Sequence, residues 1–527
     1  MKMVKSLILG SAAGLLAMGG AQAADLPVKA KAVEYVKICS LYGAGFYYIP
    51  GTDTCIKLGG YLRVETALGT NSVYNWSSGN PAGGHNQLSN YYTARSREDF
   101  NIDTRTATEY GVVRTYFDAT FSWTTGGYIG NGTNPGSTTY TGAAATLNTQ
   151  GAAPILNGGL ANPNDGGIAG GSLGVYYAFI QFAGFTMGKA VSQFSAPWTN
   201  YPGNNFDGLV GGGGTVTGVN QFTYTAQFGN GVSLALSAQD QVAYYQAGIL
   251  NMTGLSTAGM QGGANGVNNI AGSRSPDLVA MVRVDQAWGL FQASFAAHQN
   301  TPGYYGPTEI TGHPDDKWGW AGQLALSIKN VPTGPGDTIN LQGVYTDGAT
   351  RYNIQDLAPV GYSIYGGTGV AGLYQSIGFA SAPDAVYIGT NNANGSQLET
   401  ITSWGFRGAY THNWDAYWNT ALYGAYAGVR YGTLGKNTIC AFVAANQPLV
   451  TNCNPDFNLG QIGIITRWTP VKNLTFSADL TWSHLDQKYA GVWNAAQNNN
   501  SAKPGGAVYE LKDQDSITLL LRAQRNW

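Results

Sequence analysis

The stretch "LTFSADLTW" (474–482) decides the fold class of this 527-residue chain. Every second residue of this stretch is apolar, and the residues between them are polar. The apolar residues are Leu474, Phe476, Ala478, Leu480 and Trp482. Successive side chains of a β-strand point to opposite faces of the sheet. The period of two therefore predicts a strand with one apolar and one polar face.

The same alternation recurs along the chain. Residues 56–65, 97–105 and 113–121 alternate in this way, and so do the last twelve residues, "SITLLLRAQRNW" (516–527). In the final segment Ile517 and Leu521 share one face, while Thr518 and Arg522 share the other. We predict that this half-apolar terminal strand pairs with the first strand, because a closed sheet leaves no exposed edge.

Short and long connections between these strands alternate along the chain. Seven are tight turns, and eight are long stretches rich in Gly, Asn, Ser and Tyr, so together they join sixteen strands. Tight turns at one rim and long loops at the other are typical of bacterial membrane barrels, whereas a soluble β-sandwich has no reason to sort them. We predict an all-β fold, a transmembrane antiparallel β-barrel of 16 strands with short periplasmic turns and long external loops.

The composition and the N-terminus favour export. Charged residues make up 11% of the chain, less than half of the usual share of about 25%. Residues 1–23 combine Lys2 and Lys5 with a short apolar run and an A-x-A site at 21–23. This pattern predicts a signal peptide rather than a membrane anchor, because the apolar run is short and no stop-transfer charges follow it. In lipid, a chain without apolar helices satisfies its backbone only as a closed sheet.

The predicted signal cleavage leaves a near-neutral chain. It lowers the count of basic side chains from 27 to 25, against 29 acidic ones. We therefore expect no nucleic-acid partner. The five histidines are scattered, and no H-E-x-x-H or G-x-S-x-G motif is present. The sequence predicts neither an enzyme nor a cofactor.

We expect three parts in the chain: the signal peptide 1–23, a periplasmic N-terminal segment 24–55, and a barrel over 56–527. The third long loop, about 193–217, mixes aromatic residues with Asp207 and four consecutive glycines. From these residues alone the loop either folds into the lumen or stays a flexible outer loop. The glycine run is not a phosphate-binding loop, since no Lys-Ser/Thr pair follows it.

The four cysteines fit an oxidising compartment. Cys39 lies near Cys55 in sequence, and Cys440 lies near Cys453. Three connectivities are possible, and the two local pairs are favoured. A zinc site is the alternative, but no C-x-x-C motif or paired histidine spacing supports it.

The remaining chemistry is that of a selective pore. An arginine at mid-depth on a lipid face costs about 2 to 4 kcal/mol, so the arginines of these strands should face the lumen. Closing the last strand on the first would place the basic residues on one arc of the wall, beside Asp118: Lys57, Arg63, Arg97, Arg105, Arg114 and Arg522. Such an arc creates a fixed field across the pore. The alternative is that these charges pair across strands and brace the sheet.

Three segments resemble the general porins of alphaproteobacteria: "VEYVKICSLYGAGFYYIPGTDTCIKLGGYLRVE" (33–65), "FNIDTRTATEYGVVRTYFDATF" (100–121) and "LRAQRNW" (521–527). The resemblance implies a homotrimeric, multi-pass barrel in the outer membrane that passes small hydrophilic solutes and ions. It also implies an inward third loop that forms the constriction, a Cys39–Cys55 disulfide, and Trp527 as an assembly signal. The third loop departs from the family pattern in holding Asp207 as its only carboxylate.

Two functions follow from these expectations. The first is a general diffusion porin, whose partners are outer-membrane lipid, copies of itself, and small solutes. The second is a substrate-specific channel, in which Trp198, Tyr201 and Phe206 of the third loop form a stacking platform for sugars.

Overall fold

A computed structural model describes residues 37–70, 92–124, 166–168, 171–198, 209–214, 218–240, 247–354, 361–389, 397–495 and 506–527. The predicted signal peptide 1–23 lies outside the described residues, as do Tyr201, Phe206 and Asp207 of the third loop.

Sixteen antiparallel strands form one closed sheet. They are β1 (Thr54–Gly69), β2 (Tyr92–Thr108), β3 (Gly111–Thr124), β4 (Gly171–Phe182), β5 (Phe185–Ala190), β6 (Val219–Gln227), β7 (Val232–Gln239), β8 (Asp277–Gln286), β9 (Gly289–Asn300), β10 (Lys317–Lys329), β11 (Thr338–Asp347), β12 (Thr402–Asn413), β13 (Trp418–Arg430), β14 (Phe457–Val471), β15 (Leu474–Gln487) and β16 (Gln514–Asn526). Each strand pairs with the next, and β16 pairs with β1 from Tyr61 opposite Asn526 to Gly69 opposite Thr518. The predicted 16-stranded barrel is confirmed.

Short and long connections between the barrel strands alternate, as predicted. Seven short turns of 2 to 8 residues alternate with eight long connections of 16 to 54 residues. Asn230, Asn330 and Asn473 in the short turns adopt φ angles of 47°, 56° and 67°. Asparagine tolerates this left-handed conformation better than most residues. These residues keep one rim of the barrel tight.

The outer face of the sheet is apolar. Phe222, Leu236, Leu324 and Phe406 are each more than half exposed on it. Beside the short turns, the Trp468 ring stacks on Trp418 at a centroid distance of 5.7 Å and on Phe476 at 5.5 Å. Aromatic side chains of this kind favour the boundary between lipid and water. Among the described residues, no helix is long and apolar enough to cross a membrane.

The long connections have secondary structure of their own. Besides the short strand Tyr47–Tyr48, which pairs with the start of β1, their strands are Gly166–Ile168, Ile249–Leu250, Gly361–Gly366, Gln375–Ser381, Ala385–Ile388, Gln397–Thr400, Val450–Asn452, Ala490–Ala495 and Ala507–Leu511. The helices are α1 (Thr257–Gln261) and α2 (Thr433–Asn446), with short 3-10 turns at Glu309–Thr311 and Thr350–Tyr352. One more 3-10 turn, Ser40–Tyr42, lies in the N-terminal segment before β1.

Most of these loop elements pack together into one body. The strands at 361–366, 375–381, 507–511, 490–495 and 450–452 form a five-stranded sheet, and those at 249–250, 385–388 and 397–400 form a three-stranded one. We call these two sheets and α2 the loop cap. Its core holds Phe379, Trp493 and Tyr509, each at most 1% exposed, and is continuous with inward residues of the barrel such as Ala425 and Leu459.

Two disulfides fix the ends of loop segments. Cys39 is bonded to Cys55, which ties the N-terminal segment to β1, and Cys440 is bonded to Cys453, which ties α2 to the strand that follows it. All four cysteines of the chain are used in these two bonds. Strand β1 begins at Thr54, so Cys55, placed at the end of the predicted N-terminal segment, already belongs to the barrel.

Candidate functional site

The inner wall of the barrel has two sides of different chemistry. Inward side chains of β16, β1, β2 and β3 include many charged residues, and we call this the charged arc. Inward side chains of β8 through β14 are mostly small and apolar or carry amides, and we call this the filled side. Its apolar members are at most 7% exposed: Val279, Ala296, Ala321, Val344, Ala409, Ala425 and Leu459.

On the charged arc, one buried carboxylate gathers three guanidinium groups. Glu65 lies opposite Arg95 of β2 and Arg522 of β16 in the register of the sheet. Arg95 donates from Nε to Glu65 Oε2 at 2.9 Å, and its Nη2 lies 2.7 Å from the same oxygen. Arg522 donates from Nε to Oε1 at 2.6 Å. Arg63 Nε lies 3.8 Å from the same Oε1 and donates to Gln524 at 2.8 Å.

A second charged group lies further along the arc. Asp103 accepts hydrogen bonds from both Arg105 and Arg114, and the closest nitrogen of each is 3.0 Å from its Oδ2. The two arginine side chains are 29% exposed, against 6% for Arg63. Arg114 pairs with Asp103 across β2 and β3, whereas Arg105 pairs with it along β2. A cross-strand ion pair of the kind foreseen as the alternative is therefore present at Asp103.

The structure also places the other residues named from the sequence. Arg97 donates to Ser122 at 2.9 Å, and Asp118 accepts a hydrogen bond from the Tyr116 hydroxyl at 3.2 Å, so both face inward. Lys57 lies at the start of β1 with its ammonium 5.9 Å from the Phe46 ring. Glu65 and Arg95 were not among the predicted residues, although each lies two positions from a predicted arginine on the same face of its strand.

The described parts of the third loop, 191–198 and 209–214, lie against the filled side. Inward glutamines donate to its backbone: Gln292 to Ser195 O at 2.9 Å and Gln323 to Phe194 O at 2.6 Å. Further along the loop, Arg407 donates to Leu209 O at 3.1 Å. These amide and guanidinium groups satisfy loop carbonyls that would otherwise be buried without partners.

The glycine run of the third loop has a steric cause. Gly211 has a φ of 91°, and a Cβ there would lie 2.7 Å from the Phe406 backbone. Gly212 has a φ of 123° and equally little room. Only glycine adopts this conformation at this distance from a strand, so the run lets the loop backbone lie directly on the wall.

A second segment enters the lumen behind the third loop. The 3-10 turn at 350–352 is followed by Asn353, whose carbonyl accepts from Gly211 N at 3.0 Å and Gly212 N at 2.9 Å. The Tyr352 ring packs on Phe194 at a centroid distance of 4.5 Å. The β11–β12 connection therefore supports the third loop, and sequence alternation gave no signal for it.

A buried network holds this second segment to the wall. His298 of β9 donates or accepts through Nδ1 at 2.9 Å from Asp277 Oδ1, and its Nε2 lies 3.7 Å from Asp384 Oδ2. The Tyr352 hydroxyl donates to Asp277 at 2.5 Å, and Asp384 accepts from Thr350 N at 2.6 Å. Burial raises the pKa of the Asp384 carboxyl to about 6, although His298 acts in the opposite direction.

The C-terminus closes the seam beside the charged arc. The Trp527 backbone N–H donates to Gly60 O at 3.1 Å, and its Nε1 donates to Glu98 at 3.1 Å. The Trp527 ring lies 6.0 Å from the Phe100 ring. Trp527 therefore contacts β1, with which its own strand β16 pairs, and also β2, the next strand of the barrel.

Comparison with known proteins identifies the family. The model of a family described as "Porin subfamily" matches residues 25–520. The chain belongs to this porin family. Porin Omp2a of Brucella melitensis is 34% identical over 239 residues, which are 45% of this chain and 56% of that protein. Porin Omp2b of Brucella suis is 31% identical over 45% of this chain and 54% of its own length.

The chain spans about half the length of the curated relatives that it matches. Among solved structures, the outer membrane channel DcaP of Acinetobacter baumannii superposes with a TM-score of 0.51 over 91% of this chain and 99% of that one, at 14% identity. Family and fold together identify a multi-pass outer-membrane protein of a porin family, not an enzyme.

Proposed function

We propose that the chain forms a water-filled channel for passive diffusion of small hydrophilic solutes and ions across the outer membrane. The observation that carries this proposal is the charged arc, which places ionisable side chains inside a closed barrel whose exterior is apolar. Charged groups at this depth need water or a partner, and a lumen provides water. The roles of Lys57, Arg63, Arg97, Arg105, Arg114, Asp118 and Arg522 as pore-lining residues belong to this proposal.

A planar lipid bilayer tests the channel directly. The purified full chain should insert in discrete conductance steps, each with a current that rises linearly with voltage and with salt concentration. Absence of steps at matched protein insertion would contradict the proposal.

The second candidate is a substrate-specific channel. It is favoured by the loop cap and the third loop, which pack on the filled side and leave less of the lumen for solutes. Saturable block of the current by one class of solute would support this candidate. Block by no solute, with unchanged ohmic conductance, would support general diffusion.

We further propose that the functional unit is a trimer. Strands β5, β6 and β7 have 6, 9 and 8 residues, whereas a membrane-spanning strand needs about 9 to 11. This low wall carries exposed Phe222, Tyr224 and Leu236, and contact with another copy would cover them. Replacing Phe222 and Leu236 by Ala should lower the trimer fraction on unheated gels. The matched double replacement of Leu324 and Leu341, exposed on β10 and β11 outside the low wall, should leave it unchanged.

A further inference from the structure

The chain before β1 folds onto the inner face of the barrel wall. Cys55 lies opposite Arg105 in the register of β1 and β2, so the two side chains share the inward face. The disulfide from Cys55 to Cys39 therefore holds the preceding chain on the lumen side of the wall. The β1–β2 connection is a long one, so this end of β1 lies at the rim of the short turns. We call residues 37–53 the mouth segment.

The mouth segment has a small core that includes the disulfide. Cys39, Phe46 and Cys55 are each at most 5% exposed, and Tyr42 packs against them. Its backbone adds few restraints: Cys39 N–H donates to Phe46 O at 3.0 Å, and the strand Tyr47–Tyr48 pairs with the start of β1 over two residues. Pairings this short are marginally stable in water. The disulfide is therefore needed to keep the segment on the wall.

The aromatic rings of the mouth segment lie on two cations of the charged arc. The Phe46 ring centroid is 4.9 Å from the Arg105 guanidinium carbon and 5.9 Å from the Lys57 ammonium nitrogen. The Tyr42 ring centroid is 5.7 Å from the same guanidinium carbon. These distances are those of cation–π contacts. The backbone follows at Gly45, whose φ is 88° and where a Cβ would lie 3.3 Å from Lys57 Cε.

The covered cations lie around one carboxylate, Asp103. Lys57 is opposite Asp103 in the register of β1 and β2, and Asp103 also accepts hydrogen bonds from Arg105 and Arg114. Three cations therefore surround this acid, and the two arginines keep their charge. Positive charge in excess at a pore mouth attracts anions and repels cations, unless a neutral group keeps ions away from it.

We propose that Phe46, held by the Cys39–Cys55 disulfide, sets the ion selectivity of the short-turn rim by covering Lys57 and Arg105. The inference rests on the proposed channel function and gives the mouth segment a part in it. The ring keeps ions off the face of each cation that it covers, and the attraction of an anion falls as its distance from the charge grows. Without the ring, anions approach both charges closely.

The reversal potential of channels in a potassium chloride gradient measures this effect. Phe46→Ala should shift it toward anions, because chloride then approaches both cations. Phe46→Tyr keeps the ring and should stay at the wild-type value. The control is Tyr110→Ala, because Tyr110 lies in the β2–β3 turn at the same rim and is 74% exposed. An unchanged reversal potential in Phe46→Ala channels would overturn the proposal, and a shift of equal size in Phe46→Tyr channels would contradict the role of the ring.

Removing the charges separates covering of the cations from a change in pore shape. In a background that carries Lys57→Gln and Arg105→Gln, the ring has no cation to cover. Adding Phe46→Ala there should leave the reversal potential of the background unchanged. A shift as large as in the wild-type background would show that the ring acts by shape alone, and it would refute the proposal.

The two disulfides of the chain provide a matched pair of variants. Cys39→Ala with Cys55→Ala should shift the reversal potential toward anions, as Phe46→Ala does. Cys440→Ala with Cys453→Ala, which removes the disulfide beside α2, should leave it unchanged. Wild-type selectivity in the first double variant would contradict the disulfide as the restraint on the segment. Should that variant not assemble, the Phe46 variants still decide the proposal.

The outcomes distinguish the mouth segment from the channel. Wild-type channels that conduct, with the same reversal potential in wild type and Phe46→Ala, would refute the role of Phe46 and leave the diffusion channel standing. A wild-type chain that inserts without conducting would refute the channel function itself.

Discussion

The charged arc and the filled side are built by the same alternation of strand residues, yet they differ in what covers them. On the charged arc, Glu65 and Asp103 pair with arginines of neighbouring strands, and side chains such as Arg105 remain 29% exposed. On the filled side, loop segments cover the wall, and His298 and Thr346 are fully buried. The difference shows that inward polar residues find partners in two ways: charges of neighbouring strands on the charged arc, and loop backbone groups on the filled side. This difference is the basis of our proposal that solutes pass along the charged arc.

The largest expected effect comes from removing the His298 imidazole, which lies between two buried carboxylates of the filled side. His298→Leu leaves the buried Asp277 and Asp384 carboxylates without their shared partner, and breaking a buried pair costs about 3 to 5 kcal/mol. The inner segment at 350–354 should detach from the wall, and single-channel conductance should rise. The matched variant His484→Leu removes an exposed pair with Asp515 and should change conductance little. Equal conductance in His298→Leu and wild type would contradict this role of the network.

The next effect concerns the contact between the third loop and the filled side. Gly211→Ala places a Cβ 2.7 Å from the Phe406 backbone at a φ of 91°, which should cost about 1 to 3 kcal/mol and push the loop away from the wall. The prediction is a broader distribution of single-channel conductance. Gly367→Ala, where a Cβ meets nothing within 4 Å, is the control and should behave as wild type.

The third prediction concerns the seam, where β16 pairs with β1 beside the charged arc. Deleting Trp527 removes its hydrogen bonds to Gly60 and Glu98 and its packing near Phe100, a loss of about 1 to 3 kcal/mol. Yield of assembled barrel in the membrane should fall, while ion selectivity of the channels that do form should be unchanged. Trp414→Ala, at an exposed turn, is the control. Normal yield after the deletion would refute Trp527 as an assembly signal.

The smallest effect on stability concerns the partly buried charges of the arc. Arg114→Gln leaves Asp103 with Arg105 as a partner, so the carboxylate stays paired with a cation. Stability should hardly change, but the reversal potential in a salt gradient should shift toward cations. Arg274→Gln, which breaks an exposed pair with Asp316, should shift neither quantity. A reversal potential that stays at the wild-type value would assign Arg114 to bracing alone.

Sequence reasoning reached the barrel but only part of its interior. Strands such as β15 were predictable because a period of two is a local property of the chain, and Arg63 and Arg97 followed because arginine avoids lipid. The filled side was not predictable, because the burial of Ala425 or Leu459 depends on loops far away in sequence. The hydrogen bonds of Gln292 and Gln323 to the third loop were not predictable for the same reason. In the sequence, a glutamine that donates to a loop carbonyl cannot be distinguished from any other polar residue of the lumen.

Thiol accessibility in single channels tests the central claim most directly. Because all four native cysteines form disulfides, an introduced cysteine is the only free thiol. Asn101 faces inward on the charged arc with part of its surface exposed, whereas Thr346 faces inward on the filled side and is 0% exposed. We predict that a charged methanethiosulfonate reagent lowers the conductance of Asn101→Cys channels and leaves Thr346→Cys channels unchanged. Equally fast modification of both positions would contradict a solute path confined to the charged arc.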